Sequence, residues 1–316
     1  MTSQVGHPGL RAWCRLALLG IREGMCGVDT FAGSSYLLDN DRPAARQILG
    51  CLSLMLDEFS IVRLGQMIVP KAGRCLELGA GNGSIACWLA ERVGPLGQVV
   101  ATDLKTHHIR HHPGVSMLRH DLAADDLPAG PFDVVHARLL LAHLPSRRDI
   151  LARLVDVVRP GGVLVIEEFG YAGSGEVLSG PGRAASEIYQ EFQAALADVF
   201  ATAGADAGWA VDAHAAMTAA GLANVDTVTH ARSWRGGTAG CLLPLATSIE
   251  LREQLVAAGM VEAELDRLAR LLIDPGLVVM GDLLWSHVGR RPGLPEESAA
   301  GRLDQVAVAD AQWRSW

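Results

Sequence analysis

The sequence predicts an α/β protein built on a mostly parallel sheet, and two stretches carry that prediction. In the first, a short apolar run from Cys75 to Leu78 passes into Gly79-Ala80-Gly81-Asn82-Gly83, then into a helical pattern in which Ile85, Leu89 and Val93 recur at three-to-four spacing. In the second, after the turn signal Gly94-Pro95-Leu96-Gly97, an apolar run from Val99 to Thr102 ends on Asp103. Strand, glycine turn, helix and strand make a βαβ unit, whose open end offers a nucleoside site.

Composition bounds the rest. The chain has 316 residues, 49% hydrophobic and 20% charged, as expected of a globular protein with a large core rather than a disordered one. With 27 Lys and Arg against 35 Asp and Glu, the net charge of −8 argues against a nucleic-acid partner, which needs clustered cations. The cysteines at 14, 26, 51, 75, 87 and 241 form no CxxC pair, so a reducing cytoplasm is the simplest expectation. The apolar run Leu16 to Leu19 is too short for a signal peptide, and no stretch reaches the length of a membrane span.

In chain order, Leu10 to Met25 reads as an amphipathic helix, and about Pro43 to Met67 as a longer one whose apolar face is Ile48, Leu52, Met55, Leu56 and Phe59. Residues 1–70 are therefore expected to form a helical cap beside the cleft. In the glycine turn the chain must leave a strand sharply and let a ligand approach its backbone. The spacing is GxGxG, not the GxGxxG of dinucleotide sites, with Ser84 where a third glycine or alanine would stand. Glu77, two residues before the first glycine, puts a carboxylate where an ammonium group can be received. Asp103 offers acceptors to ribose hydroxyls.

Glu77-Leu78-Gly79-Ala80-Gly81-Asn82-Gly83 resembles the Glu/Asp-x-Gly-x-Gly-x-Gly turn of the class I S-adenosylmethionine-dependent methyltransferases. Further matches follow in order. Val115 to Arg119 reads as a third strand running into His120-Asp121-Leu122, where the family's Asp accepts from the adenine amino group and the next N–H reaches a ring nitrogen. FDVVHARLLLAHLPS, from Phe132 to Ser146, resembles the fourth-strand region of bacterial small-molecule methyltransferases. Ser146 with Asp149 reads as a helix start. Arg159-Pro160-Gly161-Gly162 precedes a fifth strand, Val163 to Glu168.

The resemblance implies a Rossmann-like seven-stranded sheet of order 3-2-1-4-5-7-6 with its last strand antiparallel, plus helical cap elements. Val225 to His230 alternates as the sixth strand should, and Leu283 to Val288 is the seventh. It also implies S-adenosylmethionine as cofactor, held by Glu77, Gly79, Ala80, Gly81, Asn82, Asp103, Leu104, Asp121, Leu122 and Ala137, with Tyr36 as an aromatic neighbour. A domain over 71–290 is expected, carrying a helical insertion at about 236–275 (patterns Thr247 to Ala258 and Glu262 to Ile273) and followed by a tail over 291–316. Arg183 to Ala203 reads as a substrate-facing helix. Glycine-rich joints at Gly170 to Gly182 and Gly236-Gly237 suggest a mobile cover.

The implied activity is methyl transfer to an O or N atom of a small organic acceptor. His143, after the fourth strand, is the first candidate base and Glu168, at the tip of the fifth, the second; packing at a helix entrance is the competing role for His143. Arg138 either orients an acidic acceptor or is only a surface partner for a carboxylate. The histidines at 107, 108, 111 and 112 would pair at helical spacing, but Pro113 and Gly114 close the segment, and no metal is expected. A small-molecule partner is expected, with no membrane; the insertion also suits a homodimer contact. A nicotinamide oxidoreductase and a non-catalytic cofactor-binding homologue are the alternatives.

Overall fold

The computed structural model describes residues 44–67, 69–170 and 175–293. Expectations placed on Leu10 to Met25, on Tyr36 and on all but the start of the tail lie outside the described residues, as do Cys14 and Cys26.

The chain runs through α1 (Ala45–Gly65), β1 (Arg74–Leu78), α2 (Ser84–Val93), β2 (Gln98–Asp103), β3 (Val115–Arg119), β4 (Phe132–Arg138), α3 (Arg147–Val157) and β5 (Val158–Gly170). It continues through β6 (Val177–Ser179), α4 (Ala184–Thr202), α5 (Trp209–Ala219), β7 (Ala223–His230), β8 (Ser233–Arg235), α6 (Ala239–Glu250), α7 (Arg252–Ala257), α8 (Glu262–Leu272), β9 (Val278–Met280) and β10 (Leu283–Arg290). The main sheet has the order β3-β2-β1-β4-β5-β10-β7. The pairs from β3 to β5 are parallel, and β10 is antiparallel to both neighbours. Counting only its own strands, this is the order 3-2-1-4-5-7-6 that the resemblance implies.

Central strands buried on both faces call for mostly apolar side chains, and the period of two divides them between two layers. On one face Cys75, Val99, Val134 and Val165 pack against Leu64 of α1 and Ile85 and Leu89 of α2. On the other, Leu76, Leu78, Val135, Leu164 and Ile166 meet Ile150, Leu151 and Leu154 of α3 and Trp209 and Met217 of α5. A third core lies over the carboxyl ends of the strands: Tyr189 and Phe192 of α4, Leu242 and Leu245 of α6 and Leu265, Leu268 and Leu272 of α8 close on Met55 and Leu56 of α1. Burying each such side chain contributes about 1.5–3 kcal/mol. Helix α1 thus serves two cores.

Several local expectations are corrected. The first inserted helix starts at Ala239, not Thr247, and carries Pro244 inside it; the pattern to Ala258 breaks at Leu251, where α7 takes over. The stretch from Gly170 to Gly182 is not merely a connection, because β6 pairs with β9 and β9 with β8 in a separate small sheet. Gly236 is no loose joint: a Cβ there would sit 1.9 Å from the Asp274 carbonyl oxygen, so the glycine allows close backbone approach. Helix α3 begins after Ser146 as expected, yet the Ser146 hydroxyl makes no cap bond, since its backbone (φ −85, ψ 22) is not the extended form that aims a hydroxyl at the helix N–H groups. The histidine segment holds only a 3-10 turn, Thr106–His108, followed by extended Ile109. The helical pairing of His107 with His111 is therefore not formed.

Candidate active site

The glycine turn is built by backbone geometry. Gly79 (φ 60), Gly81 (φ 56) and Gly83 (φ 78) all occupy the left-handed region that side chains disfavour. The Gly81 N–H donates to Asp103 Oδ2 at 2.9 Å, and the Lys105 N–H donates to Oδ1 at 2.9 Å, so strand β2 holds the turn through one carboxylate. Asp103 is 8% exposed, and burial raises its pKa above the usual carboxylate value against the pull of the Lys105 and Gly81 N–H groups. From above, α1 reaches the same turn. Asn82 Nδ2 donates to Ser53 Oγ at 2.8 Å, Asn82 Oδ1 accepts the Ser84 N–H at 3.1 Å, and Ser84 Oγ donates to Asp57 Oδ1 at 3.0 Å.

Beneath α1 lies a cavity of about 290 Å³. Its inner end is lined by Glu77, Gly79, Ala80, Gly81, Asn82, Asp103, Leu104, Asp121 and Leu122, all of them expected from the sequence. Asp121 is fixed by the Ala123 N–H on its Oδ1 at 2.9 Å. Ala137 is fully buried among core side chains and does not line the cavity. The outer end is formed by Tyr189, Gln193, Leu196 and Phe200 of α4, Leu243 and Thr247 of α6, Phe169 and Asp282. Sequence reasoning placed α4 there but missed Tyr189, Gln193 and Asp282. The signal for Asp282 was its place before the antiparallel strand: β10 presents its start, not its end, at the edge where β2 and β5 present their carboxyl ends.

Both candidate bases also line this cavity. Burial, then Arg147, pushes the His143 pKa down to about 4, and its ring centroid lies 5.5 Å from that of Phe200. Glu168 is 1% exposed, and its Oε1 accepts the N–H groups of Leu140 (3.3 Å), Leu141 (2.8 Å) and Ala142 (3.2 Å). These bonds favour the charged form, but burial outweighs them and raises its pKa to about 7. Leu139, between β4 and this turn, is left-handed at φ 53, with its N–H held by the Glu167 carbonyl at 2.8 Å. A strained non-glycine residue lining a cleft marks a constrained site.

Arg138 forms a carboxylate pair, but a largely buried one rather than the surface pair expected: its guanidinium donates to Asp57 Oδ1 at 2.8 Å and to Ser60 Oγ at 2.9 Å. Ser60 Oγ in turn donates to Glu167. Below them His136 of β4 is fully buried, with Nδ1 2.7 Å from Glu77 Oε2 and Nε2 3.3 Å from Glu167 Oε2. The sequence reading missed this histidine, although one polar residue inside the apolar run Val134 to Ala137 was a signal. Among the described residues no group of three or more His, Cys, Asp or Glu side chains is placed to hold a metal, and no helix is long and apolar enough to cross a membrane.

An open sheet with one antiparallel strand, a glycine turn after β1 and acids closing β2 and following β3 give the chain the Rossmann-like fold that class I methyltransferases share. Residues 76–166 match the family model described as a methyltransferase domain. Two curated relatives align with it: Methyltransferase str2 of Strobilurus tenacellus, 35% identical over 131 residues (41% of this chain, 46% of that one), and Nocamycin O-methyltransferase of Saccharothrix syringae, 34% identical over 110 residues (32% and 39%). The chain thus spans less than half the length of either. At the level of fold, it is similar to Haemonchus contortus phosphoethanolamine N-methyltransferase 2 in complex with phosphomonomethylethanolamine and S-adenosylhomocysteine, with a TM-score of 0.50, 14% identity and coverage of 83% of this chain and 61% of that one.

Proposed function

We propose that the protein transfers a methyl group from S-adenosylmethionine to an oxygen or nitrogen atom of a small organic acceptor, with natural-product intermediates the first class to test. One observation carries the reading: a single cavity joins the glycine turn, Glu77 and Asp103 at one end to the mostly apolar α4–α6 wall at the other. Such a cavity can hold a donor and an acceptor together. The relative named as an O-methyltransferase supports oxygen as the acceptor atom.

The residues fit the cofactor. Left-handed glycines leave the turn without side chains, Asp103 has lone pairs for ribose hydroxyls, Asp121 and the Leu122 N–H suit an adenine edge, and Glu77 suits an ammonium. The cofactor supplies an electrophilic methyl on a sulfonium, and the protein's part is to align the acceptor and keep water out. In this reading α1, α4 and α6–α8 act as the cap. For an acceptor that must lose a proton, Glu168 is the base: its raised pKa lies near neutrality, whereas His143 stays neutral and serves as a hydrogen-bond partner.

Native mass spectrometry with S-adenosylmethionine against nicotinamide cofactors tests the donor, and acceptor screening then tests turnover. A complex with the nicotinamide cofactor alone would sink the proposal. Asp103→Ala is expected to weaken S-adenosylhomocysteine by about 1–3 kcal/mol, because it removes acceptors for the ligand and the pin on the Gly81 N–H; unchanged affinity by calorimetry would remove the assignment. With an acceptor in hand, the single-turnover rate is expected to rise as pH passes about 7, where the Glu168 carboxyl ionises. Glu168→Gln should abolish that rise, and His143→Gln should keep it.

A further inference from the structure

His136 sits at the centre of the sheet, and its two ring nitrogens face two different carboxylates, Glu77 from β1 at 2.7 Å and Glu167 from β5 at 3.3 Å. A neutral imidazole has one N–H donor and one lone pair, so in the neutral form one nitrogen would point its lone pair at a carboxylate oxygen. Only the imidazolium donates to both. The titration points the same way: burial pushes the ring down, the two glutamates, Glu77 first, more than reverse this, and its pKa stands at about 9. Glu167 would be raised by burial, but His136, then Arg138 and the Ser60 hydroxyl, hold it below the usual carboxylate range.

The connected charges are three carboxylates, Glu77, Glu167 and Asp57, against two cations, His136 and Arg138. Among the described residues, three other groups near this face add nothing to the balance. Arg63 of α1 is paired with Asp226. His287 of β10 is pushed down to about 4, chiefly by burial, and the Cys75 thiol of β1 is pushed up to about 12. Among the described residues the relay is one positive charge short, and Glu77 is the one of its three carboxylates that lines the cavity, where Arg138 also stands.

We propose that His136 is a positioning residue for the ligand's ammonium group: clamped between Glu77 and Glu167, it fixes the Glu77 carboxylate at the cavity wall and leaves that carboxylate's charge for a cation to balance. This rests on the reading of Glu77 as the ammonium end of a cofactor site. Through Glu167, Ser60 and Arg138 the same relay ties that end to α1, the roof of the cavity.

The test compares two probes by calorimetry at pH 7.5: S-adenosylhomocysteine, and 5′-deoxy-5′-methylthioadenosine, which keeps the nucleoside and lacks the amino acid. In His136→Asn the first should bind at least about tenfold more weakly and the second within about twofold of wild type. Glu77→Gln should show the same split, and the double variant should be no worse than Glu77→Gln alone. Equal losses on both probes, or unchanged affinity for S-adenosylhomocysteine, would overturn the proposal while leaving the cofactor reading standing. A wild type that binds neither probe would overturn both. Should His136→Asn fail to fold, histidine-selective nitrogen NMR of the wild type decides: a doubly protonated buried ring at pH 8, displaced by S-adenosylhomocysteine and not by the nucleoside, is the expected result, and a single neutral tautomer overturns it.

Discussion

Gly83→Ala is expected to cost about 2–5 kcal/mol of folding stability, more than any other single methyl added to the glycine turn. The left-handed backbone at φ 78 accounts for about 1–2 kcal/mol of this with any L side chain. The rest is a collision, since the new Cβ would lie 2.7 Å from Ile109 Cγ2 and 3.0 Å from the Arg110 nitrogen. That nitrogen is not free to move aside, because its N–H donates to the Asn82 carbonyl at 2.9 Å and so ties the β2–β3 connection to the turn. Gly221→Ala is the matched control. Gly221 is also left-handed at φ 91, closing α5, but has nothing within 4 Å of an added Cβ, so only the backbone cost of about 1 kcal/mol should appear. Urea unfolding of the two variants separates the contributions. Equal losses would mean that the turn yields and the Ile109 contact is soft.

Glu168→Gln is expected to stabilise the protein at alkaline pH while abolishing the proposed rise of the methyl-transfer rate above about pH 7. The folded-state pKa of about 7 stands above the ordinary 4.5, so burial favours the neutral carboxyl. Below pH 4.5 both states are protonated and the group costs nothing. Between 4.5 and 7 the unfolded chain ionises first, so folding stability falls as pH rises, and above 7 the full penalty, on the order of 3 kcal/mol, is present. Glutamine keeps an oxygen for the N–H groups of Leu140, Leu141 and Ala142 and cannot ionise. Denaturant titrations should therefore show the variant ahead of wild type at pH 8 and level with it at pH 4.5. A gain of the same size at both would show that packing, not ionisation, is responsible.

What was legible in the sequence was what repeats or turns locally. Alternation and apolar runs placed the strands of the main sheet, the glycines fixed the turn, and Asp103 and Asp121 stood out as acids at or just past the carboxyl ends of the second and third strands. The small sheet was not legible: β6, β8 and β9 are three residues each, too short for a period of two to show, and come from distant parts of the chain. Helix α6 was misread at its start because Pro244 lies within it. His136 reads as one more strand residue, since its partners Glu77 and Glu167 are 59 and 31 positions away. Glu168 was legible as a position, but its contacts to three backbone N–H groups depend on the turn after β4, which no local pattern specifies.

Helix α1 gives Leu64 to the core under the sheet and Cys51, Met55 and Leu56 to the core over it, while Ser53, Asp57 and Ser60 bond to the floor between. Two hydrophobic cores that share one helix cannot melt independently, because the loss of either strips α1 of half its support and exposes the other. Cap and sheet therefore form one cooperative unit. Damage to the core over the sheet, such as a cavity cut at Leu56, is transmitted to the glycine turn as a lower population of the ordered pocket, and under the proposed function affinity for the cofactor falls although no residue lining the pocket has changed.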